Sequence, residues 1–154
     1  MNEKKYFLCS LINNYLDFSE NIKGLSKNTT KSYQRDLTKF SKFLEASSIN
    51  ELAGITEEMS SAWVADLFQN NVSARSIQRH ISSAKGFFNY LKKISLVTDS
   101  PFELINSPKS PNHLPNILSP EEVSQLLNFK PKNAQEKRDL AIIELIYSSG
   151  LRVS

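Results

Sequence analysis

The sequence predicts an all-α fold in two parts, and three observations carry that expectation. Apolar residues recur at the spacing of one helical face over most of the chain, and no stretch alternates apolar and polar residues as a strand would. Five of the six prolines fall between Asp99 and Glu121, where they remove backbone donors and turn preceding residues away from helix. The reading is a helical front domain over residues 1–97, a proline-rich linker over 98–118 and a shorter helical part over 119–154.

The first helix is expected from about Lys4 to Ile22, with Leu8, Leu11, Ile12, Tyr15 and Leu16 on one face and Gly24 as its stop. A second, capped by Ser26 or Asn28, continues to about Ala46. The third opens after Thr56 with Glu57 and Glu58 at the positive helix end, and carries Met59, Trp63 and Leu67. A fourth runs from about Ser73 to Ile94. In the back part, Ser119-Pro120-Glu121-Glu122 combines a capping serine, a proline at the first helical position and a glutamate placed for a capping box. A short helix to Phe129 follows, and another from Glu136 to Ser149 is apolar on nearly every side and stops at Gly150.

Bulk properties exclude several classes. Hydrophobic residues make up 40% and charged residues 23% of 154, which suits a folded protein rather than a disordered one. The longest strongly apolar stretch, Ala141 to Tyr147, is too short to span a membrane, and the N-terminus has no signal-peptide pattern, so a cytoplasmic location is expected. Cys9 has no cysteine partner, and His80 and His113 alone cannot build a zinc site, so neither metal nor other cofactor is expected. Net charge is +3, which permits nucleic-acid binding without requiring it. The excess lies in residues 1–118, with 14 Lys and Arg against 11 Asp and Glu.

Placement of the charges is more telling. At about 100° per residue, Lys31, Arg35, Lys39 and Lys42 fall in one sector of about 80°, opposite Tyr33, Leu37, Phe40 and Leu44. The fourth helix repeats this, with Ile77, Ile81, Ala84, Phe88 and Leu91 behind and Arg75, Gln78, Arg79, Ser82, Lys85 and Asn89 in front. Cations engage phosphates, and amide or guanidinium heads reach base edges in the major groove. Ordinary amphipathic surface helices are the competing reading. Against it, Asp36 is the only carboxylate between Lys23 and Phe43, and none lies between Asp66 and Asp99. His80 falls between the two faces and reads as a boundary residue.

Four segments, in order, resemble the tyrosine recombinase (phage integrase) family, and especially its Xer branch, which resolves chromosome dimers. They are Leu25-Ser26-Lys27-Asn28-Thr29-Thr30 with Ser32-Tyr33-Gln34-Arg35-Asp36-Leu37; Ser73 to Lys85 running into Phe87-Phe88 and Tyr90-Leu91; Ser107-Pro108-Lys109 with Leu114-Pro115-Asn116-Ile117-Leu118-Ser119; and Arg138-Asp139-Leu140-Ala141 through to Gly150-Leu151-Arg152-Val153-Ser154. The resemblance implies a four-helix, SAM-like core-binding domain. Its second and fourth helices would face DNA through Lys27, Asn28, Thr29, Lys31, Arg35, Lys39, Lys42, Arg75, Ser76, Gln78, Arg79, Ser82 and Lys85.

It further implies a linker crossing the duplex, for which some twenty residues at about 3 Å each suffice, and then the first helices of a catalytic domain. Arg152 would contact the scissile phosphate, since a planar guanidinium can bind two oxygens that gain charge in the transition state. A tyrosine would attack the phosphodiester and conserve its energy in a 3′-phosphotyrosine, with no metal or ATP. Implied partners are a double-stranded recombination site and further protomers, in a tetramer on DNA, with no membrane and no small-molecule substrate. The family's catalytic lysine, second arginine, histidines and nucleophilic tyrosine have no counterpart here, so no strand cleavage is expected from this chain. Tyr33, Tyr90 and Tyr147 read as packing residues, and Asn116 stands where the family commonly has a cation. A phage or transposon integrase is the rival within the family. A helical protein–protein adaptor, pairing through Leu126, Ile142 and Ile146, is the rival outside it.

Overall fold

A computed structural model describes residues 3–49, 51–109 and 117–150 of the chain, divided into two compact units, Met1–Pro111 and Asn112–Ser154. The described elements of the first unit are α1 (Glu3–Asn21), α2 (Lys27–Ala46), a 3-10 turn (Leu52–Gly54), α3 (Glu57–Gln69) and α4 (Ala74–Lys93). The second unit has α5 (Pro120–Leu127) and α6 (Ala134–Ser149).

Local chemistry sets the helix starts. Ser26, Thr56 and Ser73 each accept a hydrogen bond from the backbone N–H three residues on, which satisfies a donor the helix leaves free. Of the two candidate caps for α2, Ser26 is the one used. The stops are equally local. Gly24 takes the left-handed conformation at φ 66° as Leu25 N–H reaches back to the Ser19 carbonyl, closing α1. Ser48, Asn71 and Ser95 adopt the same conformation after α2, α3 and α4.

α4 is the central helix of this unit, packing against α1, α2 and α3. Its buried stripe of Ile77, Ile81, Ala84, Phe88 and Leu91, joined by Phe87, meets Leu37, Phe40 and Leu44 of α2, Trp63 and Leu67 of α3, and Leu11, Ile12, Tyr15 and Leu16 of α1. Aromatic rings dominate the centre: Trp63 lies 4.7 Å from Phe40 and 5.8 Å from Phe102, centroid to centroid, in tilted and edge-on arrangements.

Phe102 and Ile105 belong to this core although they lie in the stretch expected to be linker. The prolines there prevent helix but do not prevent burial; residues 101–104 form a turn, and the compact unit continues to Pro111. His80 also departs from expectation. It is buried rather than at the boundary, with its ring 5.6 Å from Trp63 and edge-on to it.

In the second unit, Ser119 and Glu122 complete the capping box, and α6 stops at Gly150 in the left-handed conformation. No described residue here is fully buried. Leu126, Phe129, Ile142, Leu145 and Tyr147 are exposed, so the packing role expected for Tyr147 has no counterpart within this unit.

Candidate nucleic-acid interface

The polar sides of α2 and α4 carry the candidate site. α2 presents Lys27 and Asn28 in its first turn, then Lys31, Arg35, Lys39 and Lys42 along one side, and all six are exposed. Thr29 is half-buried, its hydroxyl 2.9 Å from that of Ser26. Arg35 Nη2 donates to Ser32 Oγ at 3.1 Å, which steadies that guanidinium against its own helix. On α4, Arg75, Arg79, Ser82 and Asn89 are exposed, while Ser76, Gln78 and Lys85 are half-buried.

Two of these residues already hold part of the segment after α4. Gln78 Nε2 donates to the Pro108 carbonyl at 2.7 Å, and Lys85 Nζ reaches the Glu103 carbonyl at 3.4 Å. These contacts, with buried Phe102 and Ile105, fix residues 102–108 along α4. Both residues are half-buried, and neither is a free surface group.

The join between the helices is a buried charge. Asp36 of α2, whose side chain is 2% exposed, accepts Arg79 Nε at 2.8 Å and Arg79 Nη2 at 2.9 Å. This is the forked, two-bond geometry in which guanidinium and carboxylate bind most strongly. The hydrogen bonds to Asp36 raise the Arg79 pKa above its ordinary value, so this cation is permanent. His80 Nδ1 stands 3.3 Å from Asp36 Oδ1 without making a hydrogen bond. Burial lowers the His80 pKa; Asp36 opposes that shift, while Lys39 and Arg79 add to it. The scarcity of carboxylates singled out Asp36 in the sequence, but its partner lies 43 positions away and nothing local announces the pair.

Arg152, His113 and Asn116 lie outside the described residues. Among the described residues, no cluster of three or more His, Cys, Asp or Glu is placed to hold a metal ion. Nor is any helix there long and apolar enough to cross a membrane.

Residues 12–94, which span α2, α3, α4 and most of α1, match the family of phage integrase N-terminal SAM-like domains. The chain belongs to that family. Relatives of this SAM-like chain include the tyrosine recombinase XerC of Anoxybacillus flavithermus, 32% identical over 144 residues that cover 93% of this chain and 48% of the relative. The tyrosine recombinase XerD of Rickettsia bellii is 37% identical over 145 residues, covering 93% and 47%. That of Shewanella oneidensis is 35% identical over 153 residues, covering 98% and 50%. The SAM-like chain thus spans about half the length of the curated relatives it matches.

Proposed function

We propose that this chain is the DNA-gripping portion of a tyrosine site-specific recombinase of the Xer type. The observation that carries the reading is the pair of polar faces on α2 and α4, joined through Asp36 and Arg79 and built largely of Lys, Arg, Gln, Asn and Ser. Cations along such a surface displace counterions from a duplex, and the mixed donors add contacts to phosphates and base edges. The parent protein would cut and rejoin DNA through a 3′-phosphotyrosine, acting as a tetramer on its recombination site in chromosome dimer resolution at the nucleoid. Arg152 would clamp the scissile phosphate. A phage or transposon integrase would use the same surface and differ in its DNA site.

The DNA-binding part in this proposal extends beyond residue 97 to about residue 109, because the segment along α4 shares its core. The test is duplex binding by the 154-residue chain as salt is varied. Log affinity should fall linearly with log salt concentration. Changing Lys31, Arg35 and Lys39 together to glutamate should abolish binding with the helix content intact. Undiminished affinity in that folded variant would remove the face from consideration. Arg79 is a poor choice for glutamate, since it would set two carboxylates against each other inside the fold.

A second reading has one observation in its favour. The exposed apolar residues of α5 and α6 would suit a helical partner or a second copy, as in a protein–protein adaptor. Self-association without DNA, with no affinity for duplexes, would favour it.

A further inference from the structure

Asp36 occupies a place where an apolar residue would serve packing better. Aspartate is a weak helix former, and exchanging a buried ion pair for apolar groups of similar volume is often neutral or stabilising. A charge retained at the seam of two helices therefore points to control of geometry. The geometry is specific: the two bonds from Nε and Nη2 engage one edge of the Arg79 guanidinium. The group is planar, so its orientation is fixed by that edge, and Nη1 faces away from the carboxylate. The Arg79 side chain remains 42% exposed, and it shares its helix side with the exposed Arg75 and Ser82.

We infer that Asp36 is a positioning residue of the DNA-binding face, holding the Nε–Nη2 edge of Arg79 so that Nη1 and the remaining N–H of Nη2 are aimed at a phosphate or base edge of the bound duplex. The inference rests on the DNA-binding reading above. The neutral Asp36–Arg79 pair adds little long-range attraction; its contribution is direction. The lysines on this face are point charges on flexible stems, and Arg79 acts as a fixed fork.

The sign of one substitution separates direction from charge. Asp36→Asn removes a negative charge from beside the DNA, so charge alone would tighten duplex binding and steepen its salt dependence. Loss of aim predicts the reverse: affinity about tenfold weaker in the 154-residue chain, the size of one charge-assisted hydrogen bond. Affinity is compared at a temperature where circular dichroism shows both proteins folded, so a change in stability alone does not register. Arg79→Lys keeps the charge but has no second edge, and should weaken binding by a similar factor. Combining the two substitutions should add little to either.

Binding by folded Asp36→Asn as tight as or tighter than that of the unsubstituted chain overturns the inference. So do effects of the two changes that multiply. Should Asp36→Asn fail to fold, Arg79→Lys decides alone, and undiminished affinity there is equally fatal. Failure of the DNA-binding reading itself has a different signature, because the unsubstituted chain would then ignore duplexes even at low salt.

Discussion

The hydroxyl of Tyr15 in α1 occupies the place that a β-carbon at Gly86, in the middle of α4, would take. Glycine weakens a helix interior by about 0.5–1 kcal/mol relative to alanine, so on a free helix Gly86→Ala would stabilise. Here the sign should reverse, with a loss of about 1–3 kcal/mol from overpacking, measured by urea unfolding. In a Tyr15→Phe background most of the penalty should disappear, because the next nearest atom is a ring carbon at 3.2 Å. A stabilising Gly86→Ala in the otherwise unchanged chain would mean that Tyr15 moves aside freely.

Phe102 is buried in the aromatic centre against Phe40, Trp63 and Phe88. Its replacement by alanine should cost about 3–5 kcal/mol through lost burial and the cavity left behind. A chain ending at Val97 should show a comparable loss relative to one ending at Pro111. Equal unfolding midpoints for these two fragments would contradict the packing described for Phe102 and Ile105.

His80 predicts a pH effect with a definite sign. Its folded pKa lies below the ordinary 6.5, chiefly through burial. Below 6.5 the unfolded chain therefore binds more protons than the folded one, and stability is withdrawn as pH falls from there through the folded value. Thermal midpoints should drop between about pH 7 and pH 5.5, and the slope should flatten in a His80→Gln variant. An identical pH profile for both proteins would remove His80 from the account.

Ser95 closes α4 at φ 58°, a conformation that strains any residue with a β-carbon. Ser95→Gly should raise stability by about 0.5–1 kcal/mol in thermal or urea unfolding. A loss instead would show that the serine side chain does more than tolerate the turn.

In the second unit, Ile142 and Leu145 are exposed on α6. Light scattering should reveal association that grows with protein concentration and lessens in an Ile142→Ser, Leu145→Ser double variant. Scattering that stays monomeric across concentrations would show these apolar groups to be harmless in solution.

The helices are legible in the sequence because their signals are local. Ser26, Thr56, Ser73 and Ser119 cap the helices they precede, and the apolar positions of α4 recur at the period that its buried stripe confirms. What escaped is non-local or too short. The turn at Leu52–Gly54 spans three residues, less than any periodicity can register. Proline marks where helix fails, not where a neighbouring phenylalanine turns inward, so Phe102 passed for linker. Position 80 falls between the two faces of α4 by angle alone, and that angle does not show that Trp63 and Asp36, from two other helices, close over the imidazole. The side chains of the candidate face were legible as charge; that one of them is clamped by a carboxylate of another helix was not.

The Asp36–Arg79 clamp makes the polar surface a property of the folded bundle rather than of either helix. A synthetic peptide copying α4 would carry the same donors with Arg79 free to swing. A substitution on α2, in a residue almost hidden from solvent, could in turn alter what α4 offers without changing any group at the surface. Variation in recognition between related chains need not be confined to their outward-facing residues.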